Sequence, residues 1–379
     1  MNMIPVAAFA FALVMCAMLS PCDASQDTTQ ISISEEVTIP VAGTDVVLAS
    51  TILLPEGATP EAPVAGVVLI TGSGPQDRDE SLLGQKPFKV LAEGLVERGY
   101  AVLRYDDRGT EGLGIGRSTG SFAGSTTADF ANDAAAAVEH MAAHASVDSA
   151  RIFVCGHSTG GLVTAKLLGD GKVSAGAVLL ASPSVIGWEL LSYQTDKILR
   201  ETDKLQPTGL TPEQIDQMQA TQSALIRSMV KGNQSEQRMK ARAAVEFNVR
   251  LGGGDPSGID DEMMDGFVDQ ALAPLQETWM AYFLQYDPAE DLRSASVPVL
   301  AVFGGLDVQV VPEQNVPPMS AHLRAAGHHH STVMVLESQN HLFQQAETGL
   351  MNEYATAGEP MQPLLIDMMV AWMDRVLVE

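Results

Sequence analysis

Gly156-His157-Ser158-Thr159-Gly160 is the run of residues in this chain best placed to do chemistry. It follows an apolar stretch, Ile152 to Cys155, and precedes a helix-like one, Leu162 to Leu168. A serine between glycines at such a strand-to-helix turn is lifted clear of the sheet edge, and the glycines keep the two backbones from colliding. The N–H groups at the helix start lie beside it, where negative charge is welcome. The chemistry this suits is nucleophilic attack on a carbonyl.

A serine hydroxyl needs a base to take its proton, and the base needs an acid to orient it. For a serine on such an elbow the expected chain order is serine, acid, histidine. Downstream of Ser158 the buried run Val299 to Phe303 is followed by Gly304-Gly305-Leu306-Asp307, which nominates Asp307 as the acid. The next run, Val333 to Glu337, is followed by Ser338-Gln339-Asn340-His341, which nominates His341 as the base. Both fall at carboxyl ends of strands, where parallel sheets keep their sites. Asp287 and Asp291 are competing acids, but they precede the strand and rank lower. An oxyanion would need the N–H of Thr159 and a second donor from the loop after an early buried strand. That loop is Thr71-Gly72-Ser73-Gly74-Pro75, and Ser73 is the expected donor. The loop is not a P-loop, because no Gly-Lys-Ser/Thr follows, and Gly112-Leu113-Gly114-Ile115-Gly116 lacks dinucleotide-binding spacing.

The surrounding pattern is strands alternating with helices. Strands are expected at Val37–Pro40, Val46–Leu54, Val64–Thr71, Tyr100–Tyr105, Arg151–Cys155, Ala175–Ala181, Val297–Phe303 and Val333–Glu337. Helices are expected at Phe88–Arg98, Thr127–His144 and Pro363–Val378, the last with Met368, Met369, Trp372 and Val376 on its apolar side. Such alternation predicts a largely parallel sheet with crossover helices. It breaks between residues 187 and 291, a stretch rich in Gln, Met, Lys and Glu. Helices are expected there at Glu189–Lys204, Pro212–Lys231, Ser235–Arg250, Asp260–Leu272 and Pro274–Gln285. An insertion just after the strand that follows the elbow is where a cap would sit.

Taken together, Gly72-Ser73-Gly74-Pro75-Gln76-Asp77-Arg78-Asp79, Arg104-Tyr105-Asp106-Asp107-Arg108-Gly109, Gly156 to Gly161, Tyr286-Asp287-Pro288, Gly304 to Asp307 and Asn340-His341-Leu342-Phe343 resemble the α/β-hydrolase superfamily. More narrowly they are similar to bacterial carboxylesterases of the serine aminopeptidase-like or prolyl-oligopeptidase-like group. The resemblance runs from Val37 to the C-terminus. It implies an α/β-hydrolase fold with a mostly parallel central sheet flanked by helices and a helical cap. It also implies Ser158 as nucleophile, Asp307 as acid, His341 as base, Ser73 and Thr159 as oxyanion donors, and short-chain acyl esters as substrates. Two departures stand out. Thr71 occupies a position where such enzymes usually carry a histidine, and Thr110 to Leu113 lengthen the turn after Arg108-Gly109.

The expected organisation is a leader at 1–24, core at 31–186 and 292–379, and a cap at 187–291. The formal charge of −25, from 22 Lys and Arg against 47 Asp and Glu, excludes the basic clusters that nucleic acid requires. It also disfavours an anionic membrane surface. Ile4 to Leu19 is apolar, and Cys22-Asp23-Ala24 resembles a cleavage site, which together read as a secretory leader cleaved before Ser25. A periplasmic or secreted protein is then expected, with an uncleaved anchor or lipidation at Cys22 as lesser alternatives. Cleavage would leave only Cys155, an inert core thiol. Three consecutive histidines, His328 to His330, cannot all face one ion, so neither a metal nor an organic cofactor is expected.

Asp106 and Arg108 read as an ion pair bracing their loop, and His157 as packing or as support behind the catalytic residues. Trp279, Tyr282, Phe283 and Tyr286 share one helix face, core by default and candidates for an acyl pocket. A small-molecule ester is the expected partner. A peptidase with the same machinery is the nearest rival, with Asp260, Asp261, Glu262 and Asp265 available to a substrate amine, and an amide or lactone hydrolase is a further one. A non-catalytic binding protein on the same fold is the remaining alternative.

Overall fold

The computed structural model describes residues 33–378. The expected leader, with Cys16 and Cys22, lies outside the described residues. Among them, eight strands form one sheet: β1 (Ile33–Pro40), β2 (Val47–Leu54), β3 (Val64–Ile70), β4 (Ala101–Tyr105), β5 (Val147–His157), β6 (Gly176–Leu180), β7 (Val299–Gly304) and β8 (Thr332–Leu336). Their spatial order is β1-β2-β4-β3-β5-β6-β7-β8. β2 runs antiparallel to both β1 and β4, and every other pairing is parallel. The central strands are near-continuous Val, Leu, Ile and Ala, as befits strands covered on both faces.

The helices of this unit are α1 (Pro87–Glu97), α2 (Thr110–Leu113), α3 (Thr127–Ala142) and α4 (Thr159–Gly169), then α10 (Ala289–Arg293), α11 (Pro312–Ala326) and α12 (Pro363–Val378). α1 and α12 share one face of the sheet, where Phe88, Leu91, Leu95, Met369, Trp372 and Met373 close over Val67, Leu69, Val102, Phe153, Val178 and Leu300. The buried stripe of α12 is Leu365, Ile366, Met369, Trp372 and Met373. Met368 is only half-buried, so the apolar face is rotated from the expected one. The capping box of Thr126 with Asp129 starts α3. The lengthened turn after Gly109 is not a loose insert, because Thr110–Leu113 coil into the short α2.

Residues 186–287 form a compact helical unit of their own. It comprises α5 (Gly187–Leu205), α6 (Pro212–Lys231), α7 (Gln234–Leu251), α8 (Asp261–Gln276) and α9 (Thr278–Gln285). Thr211, Asn233 and Asp260 cap α6, α7 and α8. The α8–α9 break falls at Glu277 rather than before Pro274, which lies inside α8. The buried stripe Met264, Val268, Leu272 and Leu275 runs through the proline, so packing outweighs its missing donor. Among the described residues no helix is long and apolar enough to cross a membrane, and no group of metal-ligating side chains gathers.

Candidate active site

Six of the strands are parallel, so β3 to β8 deliver the segments that follow them to one sheet edge. Backbone ladders continue past the strand ends: Ser158 N–H donates to Leu180 C=O, Ala181 N–H to Val302 C=O, and Gly305 N–H to Leu336 C=O. Ser158 sits between β5 and α4 with φ +53°, left-handed for a residue with a Cβ. That is the strained elbow the sequence pattern requires. Asp307 follows β7 and His341 follows β8, and they meet: His341 Nδ1 is 2.7 Å from Asp307 Oδ2. Asp307 Oδ1 accepts from the N–H groups of Gln309 and Val310, and the carboxylate is wholly buried. A carboxylate pinned by two backbone donors leaves its second oxygen aimed at the imidazole.

Ser158 Oγ donates to no acceptor among the described residues. Nucleophile–base hydrogen bonds are often long in ligand-free enzymes and tighten when substrate binds. The loop expected to hold an oxyanion is nevertheless beside it: a Cβ built on Gly72 would lie 3.3 Å from Ser158 Cβ. Ser73 Oγ lies 3.3 Å from Thr159 Oγ1, so the two expected oxyanion donors are neighbours. The N–H of Thr159 is in the first turn of α4 and has no intrahelical acceptor. Gly72 N–H, by contrast, is already engaged with Glu80 Oε1 at 2.7 Å.

The rival acid Asp291 lies elsewhere. It packs against Gly169, at the far end of α4 from Ser158, roughly 15 Å along the helix. Trp279 and Phe283 stack at 5.4 Å within the helical unit, and Tyr282 stacks with Tyr286 at 6.1 Å. The expected single aromatic face thus resolves into two stacked pairs, with Phe283 in the core.

One expectation about supporting residues needs correction. Asp106 and Arg108 do not pair with each other. The chain turns after β4 and their side chains diverge. Asp106 receives Arg78 Nε and Nη2 at 2.8 and 3.0 Å, while Arg108 reaches Asp133 on α3 with two contacts of 2.6 Å. Of the two roles expected of His157, support fits its contacts: its Nδ1 is 2.9 Å from Glu80 Oε1 and its Nε2 is 2.9 Å from the His341 carbonyl. Sequence reasoning missed Glu80 altogether. Its distance of 77 residues from His157 leaves no local signal.

The position where the resemblance expects histidine is filled differently. Thr71 Oγ1 donates to Asp107 Oδ1 at 2.9 Å, and Asp107 Oδ2 accepts Gln76 N–H at 2.9 Å. Gln76 Nε2 then bonds Ser73 C=O. Asp107 is the staple that closes the loop, and it does so without a cation. Burial pushes its carboxyl well above the ordinary 3.8, opposed by those two hydrogen bonds and aided by the charges of Asp133 and Glu80. The folded state therefore binds this proton more tightly than the unfolded chain. The stability it contributes is complete below pH 3.8 and is lost as pH rises through the folded value. Asp107→Asn can keep both contacts without a buried charge. At neutral pH it should stabilise the protein by about 1–3 kcal/mol, a gain that fades as pH falls toward 4. Thermal melts of both proteins across that range check this, and a loss of stability at pH 7 would refute it.

Several known proteins are similar to this chain. Residues 86–250 match the family described as serine aminopeptidase, S33. The chain is 26% identical over 342 residues to esterase EstD of Thermotoga maritima, covering 90% of this chain and 68% of that protein. It superposes on an esterase of Pyrococcus furiosus with a TM-score of 0.52 at 14% identity, covering 94% of this chain and 96% of that one. The α/β-hydrolase GrgF from Penicillium sp. gives a TM-score of 0.53 at 16% identity, over 92% of this chain and all of that one.

Proposed function

We propose that this chain, which belongs to the α/β-hydrolase superfamily, is a serine esterase acting on short-chain acyl esters. The observation that carries the reading is the His341–Asp307 bond at the sheet edge that also presents the left-handed Ser158. In this mechanism Ser158 Oγ attacks the ester carbonyl while His341 Nε2 takes its proton. Asp307 holds the imidazole in the tautomer that can do so and stabilises the cation formed. The N–H groups of Ser73 and Thr159 receive the developing oxyanion. Collapse of the tetrahedral intermediate expels the alcohol, which takes the proton back from His341. Water then attacks the acyl-enzyme by the same path and releases the acid. The distant likeness to EstD supports an ester as the substrate.

A series of p-nitrophenyl esters from acetyl to dodecanoyl tests this. Activity should peak at short chains and fall by about 10³-fold or more in Ser158→Ala. A folded wild type inactive on the whole series would reject the esterase assignment.

The family description favours one other reading, a peptidase on the same machinery. Against it, three of the four acids of the helical unit named for a substrate amine are engaged. Asp261 and Asp265 pair with Arg242 and Arg238, and Asp260 caps α8. Matched ester and amide substrates separate the two, the peptidase reading requiring turnover of the amide.

A further inference from the structure

Beneath the site lies a charged pair that the mechanism above does not use. The Glu80 and His157 side chains are each 3% exposed and 2.9 Å apart. One oxygen, Glu80 Oε1, serves two partners from two segments: Gly72 N–H of the oxyanion loop and His157 Nδ1 of the elbow. His157 Nε2 faces the carbonyl of His341, the base itself. A carbonyl only accepts, so Nε2 must carry a proton. The Nδ1 proton completes the contact to the carboxylate, making His157 a donor at both nitrogens. Three loops bearing Gly72, Ser158 and His341 are thereby joined through two side chains.

Stability alone does not account for the arrangement. Glu80 Oε2 is buried and has no hydrogen-bond partner among the described residues, and the Glu80 backbone is left-handed at φ +55°. A buried ion pair with an unsatisfied oxygen on a strained backbone gains little over an apolar pair of the same shape. What an apolar pair lacks is direction. The imidazole ring is also wedged by Phe88 and Phe343 at 6.4 Å, and it lies 4.7 Å from the His341 ring. It has no freedom to release one partner and keep the other.

We propose that Glu80 and His157 form a buried carboxylate–imidazolium pair that positions the oxyanion loop and the backbone of His341 against the elbow. The inference rests on the reading of Ser158 as the nucleophile. Burial opposes the charge on His157, but the Glu80 charge, its hydrogen bond and the His341 carbonyl outweigh this, holding the imidazole protonated above the ordinary 6.5. Neither residue touches substrate. Both are positioning residues, and their loss should appear in kcat.

The test uses Glu80→Gln, His157→Asn and His157→Gln with the p-nitrophenyl ester assay and ¹⁵N-histidine NMR. Glutamine at 80 cannot at once accept from Gly72 N–H and satisfy a neutral His157 Nδ1 with one atom. Asparagine at 157 keeps a donor near the Nδ1 position, and glutamine keeps one near Nε2, so the two variants cut different arms. Each variant should lose about 10- to 100-fold in kcat with KM within about twofold, the signature of misplaced groups rather than weakened binding. In the wild type, the His157 signals, identified by their loss in His157→Gln, should be those of an imidazolium at about pH 7, where a free histidine is mostly neutral. A neutral His157 there, or wild-type kcat in any folded variant, would overturn the proposal. Should the variants not fold, assignment of the wild-type His157 ring through its own backbone resonances still lets the spectrum decide. A wild type inert to every ester and to an organophosphonate at Ser158 would instead sink the esterase reading, while the NMR result would continue to judge the pair.

Discussion

Asp307→Asn is expected to lower kcat on a p-nitrophenyl ester by about 10⁴-fold while leaving KM and the fold nearly unchanged. The cause lies in the asymmetry of the acid's contacts. Oδ1 accepts from Gln309 N–H at 2.7 Å and Val310 N–H at 2.9 Å, while Oδ2 meets His341 Nδ1 at 2.7 Å. An asparagine must put its carbonyl where the two backbone donors are, because its amide nitrogen cannot accept from them. The amide then faces Nδ1 as a donor. His341 would have to place its proton on Nε2, the nitrogen required to take one from Ser158. The loss is one of tautomer, not of architecture, so circular dichroism and the melting temperature should stay close to wild type. A loss of less than about tenfold would show that Asp307 does not orient the base.

Gly160→Ala should destabilise the protein by about 4 kcal/mol or more, enough to prevent accumulation of folded protein. A Cβ at this position would lie 2.2 Å from Ile70 C=O and 2.4 Å from Thr71 C=O. Both are backbone atoms at the end of β3, so nothing flexible can give way. The first turn of α4 would have to lift off the sheet, carrying Thr159 away from Ser73. Gly266→Ala is the control, since that position in α8 is open space and alanine is the better helix former by about 1 kcal/mol. Chemical denaturation of the three proteins gives the comparison. A Gly160→Ala protein as stable as wild type would mean that the elbow helix is free to shift.

The order of strands and helices was legible because buried parallel strands are written as apolar runs, and such runs survive without knowledge of their partners. β3, β6 and β7 read in this way, and the elbow, Asp307 and His341 were placed by counting from the runs Ile152 to Cys155, Val299 to Phe303 and Val333 to Glu337. The same logic failed for α12, where the apolar residues outnumber the buried ones and only packing against the sheet selects the face. It failed again at Pro274, where local propensity argues for a break and the Met264–Leu275 stripe carries the helix through.

By itself, then, the sequence determined the strand–helix alternation, the elbow and the positions of the candidate acid and base downstream of it, since each is signalled by residues adjacent in the chain. The tertiary structure alone decided which charges pair. Asp106 turned to Arg78 and not to Arg108, Thr71 found Asp107, and Glu80 reached His157. Those choices depend on distances between segments tens of residues apart, and hydrogen bonds act only over about 3 Å. Periodicity reports which face of an element is buried; it carries no record of what stands opposite.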